Sequence, residues 1–368
     1  MTKNLNIMTP INDLGYGIAG YNTTKSLHEL GVEISLFPIG DPQITLDITQ
    51  SNLIQLLASR QISFDVNAPC LKIWHEFSMA ERIGRGPLFS YSFFEVNKFD
   101  ERKKNHLKSC DGIIVSSQWA KEVAEDQLEG GPLVHVAPLG VNSAMFSHPQ
   151  LPKSEKCIFL NCGKWEMRKG HDLLLSMFLE AFPSEQDVEL WMMPSNPFIS
   201  PEETAQWEAF YKQDLRVKIL ERVHSHDQVA AIMAHATCGV FPSRAEGWNL
   251  ELLEMMAMGK PVIATNYSAH TEFCTEENCR LVTPPSLEKA VDGKWFDGSA
   301  EWASIGEVSS DFSDHMRSVY EEWKGSDTSL VNENGIQTAK EFSWNSTASS
   351  VRDIIFGENS ETSGSKEG

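Results

Sequence analysis

Apolar and polar residues alternate along the first half of the chain in short blocks of two kinds. Some blocks are brief apolar runs typical of buried strands, and the others repeat their apolar residues with helical spacing. The predicted strands are 5–8, 32–38, 71–74, 113–116 and 134–138, and the predicted helices are 19–30 and 53–59. Such alternation indicates a parallel sheet covered by helices on both faces, which is a doubly wound α/β domain.

A polar, proline-containing stretch at residues 147–155 interrupts this pattern, which then starts again. The second series is strand 157–162, helix 171–181, strands 189–193 and 217–220, helix 228–236, and strands 239–241 and 262–265. We therefore predict two Rossmann-like α/β domains, residues 1–150 and 151–342, facing each other across a cleft. Ligands are expected there, at the carboxyl ends of the strands. The small, polar residues 357–368 predict a disordered tail.

Length and composition agree with two globular domains. The chain has 368 residues, of which 41% are hydrophobic and 22% charged. No apolar run reaches the eighteen residues of a transmembrane helix, and the first residues lack the apolar core of a secretory signal. Seven cysteines without a Cys-x-x-Cys pair predict reduced thiols and a cytoplasmic location. The net charge of −20 opposes binding to nucleic acid or to an anionic membrane.

The segment from Phe241 to Ala264 predicts a strand end, a short loop, a helix that ends at Gly259, and a second strand. Glu246 and Glu254 stand eight positions apart, which is roughly 12 Å at the helical rise of about 1.5 Å per residue. A diphosphate fits between them at the helix N-terminus, with one acid near a sugar and the other near a ribose. The alternative is a solvated helix face shared by Glu251 and Glu254.

The segment Gly163–Gly170 follows a predicted strand and opens a helix. Lys164 and Lys169 can both reach an anion at that strand end, and they can replace a metal in offsetting the charge of the anion. A lysine-rich surface turn explains the two residues equally. The sequence has no Asp-x-Asp and no His-x-x-x-His pair suited to a metal. We therefore expect a site without a metal or another cofactor.

The residues Gly15-x-Gly17-x-x-Gly20 match the glycine pattern of a dinucleotide site, with Asp41 further along the chain. Residues 9–14 separate the strand from Gly15, whereas a dehydrogenase needs a tight turn there. A longer glycine loop that approaches a phosphate or sugar is the preferred interpretation. His75 follows a predicted strand and could hydrogen-bond a sugar, or it could be purely structural.

Together these segments resemble the large retaining glycosyltransferase family 4, the glycosyl transferases of group 1, which have the GT-B fold. The stretch from Glu246 to Glu254 is similar to the family's paired-glutamate motif, and Gly163–Gly170 to its phosphate-binding segment. Gly15–Gly17 and His75 match its N-terminal glycine loop and a histidine of its first domain. Residues 136–142 resemble the segment before its interdomain linker, and 342–345 resemble the start of its final helix.

The resemblance implies transfer of a hexose from a UDP- or GDP-sugar to an acceptor hydroxyl, with retained anomeric configuration. It places Glu254 on the ribose and Lys164 and Lys169 on the diphosphate. It also implies that the first domain, completed by helix 343–356, is the acceptor side and that the second domain is the donor side. The implied catalytic residues are Glu246, His75 and Lys169. The implied donor-binding residues are Gly15, Gly17, Lys164, Lys169, Gly247, Trp248, Asn249, Leu250 and Glu254.

Two residues depart from the family pattern: Lys164 replaces an arginine, which makes the contact a point charge, and Trp248 is bulkier than usual. The acceptor implied by the family is a glycan, a lipid, a small molecule or a protein. The leading hypothesis is a metal-independent transferase acting by front-face substitution. The alternatives are a sugar-nucleotide epimerase or phosphorylase of the same fold, and a non-catalytic protein that binds nucleotide sugars.

Overall fold

The computed structural model describes residues 3–42, 48–149, 151–223 and 225–357, without the side chain of Ile48. Two compact units divide the chain. The first contains the described residues of Met1–Phe94, Lys98–Gly140 and Phe342–Gly368, and the second contains those of Glu95–Asn97 and Val141–Glu341. The segment of the first unit ends at Gly140 and that of the second begins at Val141, ten residues before the predicted boundary. Of the predicted tail, only Gly357 lies within the described residues.

The first unit is built on a six-stranded parallel sheet with strand order β2-β1-β3-β4-β5-β6. Its strands are β1 (Asn4–Thr9), β2 (Glu33–Pro38), β3 (Cys70–Ile73), β4 (Leu88–Ser92), β5 (Gly112–Val115) and β6 (Val134–Val136). Its helices are α1 (Gly15–Glu29), α2 (Ile48–Ser59), α3 (Glu101–Lys108), α4 (Gln118–Gln127) and α11 (Trp344–Phe356). Each predicted strand of this half is present. The sequence pattern missed β4, in which serines alternate with apolar residues and yet are buried.

The second unit has its own six-stranded parallel sheet, with order β12-β11-β10-β7-β8-β9. Its strands are β7 (Cys157–Gly163), β8 (Val188–Pro194), β9 (Val217–Ile219), β10 (Cys238–Phe241), β11 (Val262–Thr265) and β12 (Arg280–Val282). Its helices are α5 (His171–Ala181), α6 (Pro201–Tyr211), α7 (His226–His235), α8 (Leu250–Ala257), α9 (Ser309–Gly325) and α10 (Glu333–Glu341). The α/β class and the parallel sheets predicted from sequence are thus confirmed.

An antiparallel hairpin follows the second sheet and was absent from the sequence prediction. It consists of β13 (Leu287–Val291) and β14 (Asp297–Ala303), with a register irregularity between Lys289 and Val291. Its strands alternate weakly in hydropathy, and most of β13 is exposed. The pattern therefore offered little periodic signal for either strand.

The glycine segment of the first unit differs from its prediction. Gly15 is the first residue of α1 and Gly17 lies within its first turn, so no extended glycine loop precedes the helix. A Cβ atom at Gly17 would lie 2.2 Å from Asn12 Oδ1, an atom that accepts a hydrogen bond from the Leu14 amide. Gly17 therefore allows the helix to start against the β1–α1 connection.

Two expectations from the sequence concern reduced thiols and the lack of a transmembrane helix. All seven cysteines are free and buried. Among the helices of the described residues, none is long and apolar enough to cross a lipid bilayer.

Candidate functional site

The turn between β7 and α5 carries the cationic segment of the second unit. Gly163 ends β7 with a φ of +138°, and a Cβ atom there would lie 2.7 Å from Lys169 Cδ. Glycine at this position therefore leaves room for the Lys169 side chain to fold back against the end of the strand. Lys169 is only 6% exposed, so its charge is held inside the protein.

Arg168 is a buried cation at the centre of this segment, and the sequence reasoning overlooked it. Its Nη1 donates to Glu246 Oε2 at 2.6 Å and to the Ala245 carbonyl at 2.7 Å. Its Nη2 donates to Glu166 Oε2 at 2.7 Å. One guanidinium thus joins the cationic turn to the loop before α8. The signal was available, because Arg168 directly precedes Lys169.

Glu246 is a buried carboxylate enclosed by donors. Besides Arg168, Lys169 Nζ donates to its Oε1 at 2.9 Å and Ser243 Oγ donates to the same oxygen at 2.8 Å. Its backbone amide donates to Ser268 Oγ at 2.8 Å. Burial opposes its charge, but Arg168 and Lys169 outweigh burial and hold the pKa of Glu246 far below the usual glutamate value. Glu246 is therefore ionised at any physiological pH.

The two lysines of the turn have different surroundings. Burial opposes the charge of Lys169, yet Glu246 and Glu251 keep its pKa above the usual lysine value. Lys164 is more open: its side chain is 35% exposed, and its Nζ lies 2.8 Å from Glu166 Oε1. The structure therefore brings the predicted residues Lys169 and Glu246 into direct contact, and it links Lys164 to them through Glu166 and Arg168.

The neutral side chain of a buried histidine, His171, is hydrogen-bonded to this turn. The Glu166 amide donates to His171 Nδ1 at 3.2 Å, and His171 Nε2 donates to Asn161 Oδ1 at 2.8 Å. Asn161 Nδ2 in turn donates to the Val240 carbonyl at 2.7 Å, which ties the turn to β7 and β10. Burial, together with the charge of Lys169, lowers the pKa of His171 to about 3. His171 therefore adds no charge to the cluster.

The loop before α8 is fixed by Asn249, which adopts the left-handed conformation with a φ of +86°. Asn249 Oδ1 accepts from the Leu252 amide at 3.2 Å and caps the helix, and its Nδ2 donates to His270 Nε2 at 2.9 Å. Trp248 is buried against Phe273, with ring centroids 4.8 Å apart. Gly247 in the same loop and Leu250 at the first position of α8 are also buried. This packing fixes the backbone at the start of α8.

Glu254 lies one turn further along α8 and is half-buried. No hydrogen bond or ion pair joins its carboxylate to another of the described residues. Burial, reinforced by the charge of Glu251, raises the pKa of Glu254 to about 8. Glu251, which shares the helix face with Glu254, is also half-buried. Glu254 thus has unused hydrogen-bonding capacity, in contrast to Glu246.

In the first unit, the glycine segment and His75 meet in a cluster of aromatic side chains. The ring of Tyr16, between Gly15 and Gly17, lies 4.4 Å from the ring of His75. His75 also stacks on Phe77 at 5.1 Å, and the Phe93 amide donates to the Tyr16 hydroxyl at 2.8 Å. The glycine segment and His75 are therefore neighbours within their unit.

Within residues 3–42, 48–149, 151–223 and 225–357, no three histidine, cysteine, aspartate or glutamate side chains are grouped so that they could hold a metal ion. The charges that surround Glu246 come from arginine and lysine instead.

Comparison with known sequences identifies a family model and a curated relative. Residues 156–293 match the family model described as Glycosyl transferases group 1. The MMP alpha-(1->4)-mannosyltransferase of Mycolicibacterium hassiacum is 28% identical over 239 residues, covering 62% of this chain. The match covers 54% of that relative, so the chain spans about half the length of the curated protein it matches.

Solved structures match almost the whole chain. Sucrose-phosphate synthase from Thermosynechococcus elongatus has a TM-score of 0.70 at 15% identity, covering 98% of this chain and all of that one. The HepE protein of Anabaena, solved with UDP-glucose, has a TM-score of 0.69 at 14% identity, covering 96% and 99%. At these identities the likeness establishes the fold alone. Residues 156–293 are thus similar to the glycosyl transferases of group 1, and the chain shares the GT-B fold of these solved structures.

Proposed function

We propose that the protein is a retaining, family 4-like glycosyltransferase that moves a hexose from a UDP- or GDP-sugar to an acceptor hydroxyl. The observation that carries this proposal is the contrast between the two glutamates of the α8 segment. The Glu246 carboxylate is saturated by Arg168 and Lys169, whereas the carboxylate of the half-buried Glu254 makes no hydrogen bond to the described residues. An unpaired carboxylate one helical turn beyond a fixed cationic cluster suits a ribose next to a diphosphate.

The group-1 family match over this segment supports a nucleotide sugar as the ligand. The curated relative is named a mannosyltransferase, and HepE was solved with UDP-glucose. A panel of UDP- and GDP-hexoses, assayed for donor hydrolysis and transfer with mass detection, tests the proposal. Donor binding without hydrolysis or transfer would instead indicate a non-catalytic sugar-nucleotide-binding protein.

Front-face substitution is the mechanism we propose for the transfer. The acceptor oxygen forms its bond to the anomeric carbon on the face from which the diphosphate leaves, and the carbon–oxygen bond to the phosphate breaks. The acceptor proton passes to an oxygen of the departing diphosphate. Lys169, Lys164 and the amides at the start of α8 stabilise the charge that develops on this leaving group. No nucleophilic side chain of the protein is required.

Glu246 acts in this scheme as a positioning residue. A carboxylate with so low a pKa is a poor proton acceptor, and its oxygens already accept from Arg168, Lys169 and Ser243. Its role is to hold the two cations at fixed positions before the donor arrives. Contact of Gly15, Gly17 and His75 with substrate remains a prediction for the first unit.

Metal independence is part of the proposal, because Lys164 and Lys169 supply the fixed cations that a metal would otherwise provide. We expect donor hydrolysis and transfer to proceed at an unchanged rate in excess EDTA, and added Mg²⁺ or Mn²⁺ to leave that rate unchanged. Steady-state assays with and without chelator measure this. A loss of activity in EDTA that Mg²⁺ restores would contradict this part of the proposal.

The seven free, buried cysteines support a cytoplasmic location.

Donor affinity is expected to rise with pH through about 8. The Glu254 carboxyl is mostly protonated at pH 7, since its pKa is raised to about 8. Ribose hydroxyls donate best to the ionised form, so binding favours ionisation and releases a proton below this pKa. Glu254→Gln is expected to abolish this pH dependence and to weaken binding at pH 9 by roughly 10–100-fold. Calorimetry in buffers of different ionisation enthalpy measures both the affinity and the proton release.

Glu251→Gln is the matched control, since Glu251 lies three residues earlier on the same helix and raises the pKa of Glu254. Removing its charge is expected to move the rise in affinity to lower pH without abolishing donor binding. Wild-type affinity that is flat or falls between pH 6.5 and pH 9 would contradict the ribose role of Glu254.

A further inference from the structure

A cavity of about 340 Å³ lies in the second unit, beside α5 and α6, and no step of the proposed reaction uses it. Its walls are formed by five side chains, Asp172, Glu203, Gln206, Trp207 and Phe210. This volume is within the range of small-molecule sites, roughly 300–1,000 Å³. The lining combines two aromatic rings, two carboxylates and an amide, and it includes no cationic side chain.

The aromatic part of the wall is held rigidly. Trp207 stacks on the buried Trp165, with ring centroids 5.5 Å apart and planes 1° from parallel. Trp165 covers one face of the Trp207 ring, which leaves the other face or an edge for the cavity. Phe210 follows three residues later, on the same side of α6. Both rings are only partly buried and can meet a ligand without repacking the core.

The polar part of the wall includes fixed acceptors and a free amide. Arg244 donates to both oxygens of Asp172, at 2.7 and 2.9 Å. Glu203 caps α6 by accepting from the Ser200 amide at 2.7 Å. The side-chain amide of the exposed Gln206 makes no hydrogen bond to any residue that the structure describes. One side chain therefore offers both donors and an acceptor to a ligand.

The hairpin extends this surface. Lys294, between β13 and β14, reaches Glu203 at 3.1 Å, and Trp295 packs edge-on against Phe198 with centroids 6.2 Å apart. Trp295 is 55% exposed and Phe198 50%. The group-1 family match ends at residue 293, so Trp295 and all of β14 lie outside the part shared with that model. Of the two rim residues, Phe198 thus lies within the matched segment and Trp295 outside it.

We propose that this cavity and its aromatic rim bind a neutral saccharide, as a docking site for the glycan of the acceptor. A pyranose ring presents apolar C–H faces, which pack on aromatic rings, and hydroxyl groups, which bind carboxylate and amide oxygens. No cation lines the cavity itself, and the two lysines beside its wall and rim, Lys294 and Lys164, are paired with Glu203 and Glu166. This disfavours a phosphate or a nucleotide as the ligand. The assignment to the acceptor rests on the proposed function, whereas saccharide binding does not.

The cavity is connected to the cationic turn through one residue. Arg244, which holds Asp172, also donates to the Met167 carbonyl, in the turn that carries Arg168 and Lys169. A saccharide bound beside Asp172 therefore lies against the same framework that fixes the proposed leaving-group cations. Asp172 is unsuitable as a test position, since its replacement would release Arg244.

Gln206→Ala is the informative variant, because the side chain is exposed and supports no packing. Binding is measured by saturation-transfer NMR and calorimetry, with maltotriose and an α-linked mannotriose as probes and choline as a cationic comparison. We expect the wild type to bind at least one trisaccharide, and Gln206→Ala to weaken that binding about fivefold to tenfold. Phe210→Leu keeps apolar volume without the ring and is also expected to weaken it.

Gln213→Ala, an exposed glutamine just beyond α6, is the matched control and is expected to bind like the wild type. UDP- or GDP-hexose affinity is expected to be unchanged in Gln206→Ala, which separates this site from the donor site. If donor binding fails but trisaccharide binding survives, the proposed function is wrong and the saccharide site stands. The inference is overturned by a wild type that binds neither trisaccharide, by preference for choline, or by equal binding in Gln206→Ala.

Discussion

Replacing Lys169 with alanine is expected to lower turnover at saturating donor by about 10²–10³-fold, the usual cost of removing one preorganised group that stabilises developing charge. Lys169 is buried, charged and fixed 2.9 Å from Glu246, so its ammonium needs no reorganisation as the diphosphate departs. The effect should fall mainly on kcat, since the negative charge on the leaving group grows in the transition state. Steady-state kinetics with the best hexose donor measure it.

Lys169→Arg keeps the positive charge and is expected to recover part of the lost turnover. Lys212 is an exposed lysine at the end of α6, and its ammonium pairs with Glu208 on the same helix. Lys212→Ala should therefore leave turnover unchanged. Circular dichroism and donor binding establish that the Lys169 variants are folded. Full turnover in a folded Lys169→Ala protein would refute the proposed stabilisation of the leaving group.

The sheets of both units were predictable because buried parallel strands are short apolar runs that contrast with the helices between them. Helix His171–Ala181 and strand Val262–Thr265 even have their predicted bounds. The hairpin was not predictable, since most of β13 is exposed and its packing depends on residues distant in sequence. Helix α9 was also missed, although its buried face is Phe312, Met316, Val319, Tyr320 and Trp323.

For the site, spacing identified the segments but not the partners of each charge. The spacing of eight positions gives no indication that the Glu246 carboxylate is saturated by donors and that the Glu254 carboxylate is unpaired. That difference arises from Arg168 and Ser243, whose contacts depend on how the turn after β7 meets the loop after β10. Sequence reasoning considered the two lysines and passed over the adjacent arginine, which makes the larger number of buried ion pairs.

Arg168→Met is expected to destabilise the second unit by about 3–5 kcal/mol, more than any of the other substitutions considered above. The change removes one cation and leaves the carboxylates of Glu166 and Glu246 buried without it. Methionine fills a similar volume, so the loss reports charge and hydrogen bonding more than packing. Urea unfolding monitored by tryptophan fluorescence measures the change in free energy.

Arg280→Met is the matched control, because Arg280 forms a comparably short pair with Glu322 at the protein surface, where such pairs contribute about 1 kcal/mol or less. Adding Glu246→Gln to Arg168→Met removes one of the two carboxylates that lose the arginine and should recover part of the stability, although Lys169 then loses its partner. Recovery would show that part of the cost arises from a buried carboxylate that has lost its arginine. If Arg168→Met is no less stable than Arg280→Met, the cluster does not depend on its arginine, and Lys169 alone must hold Glu246 in place.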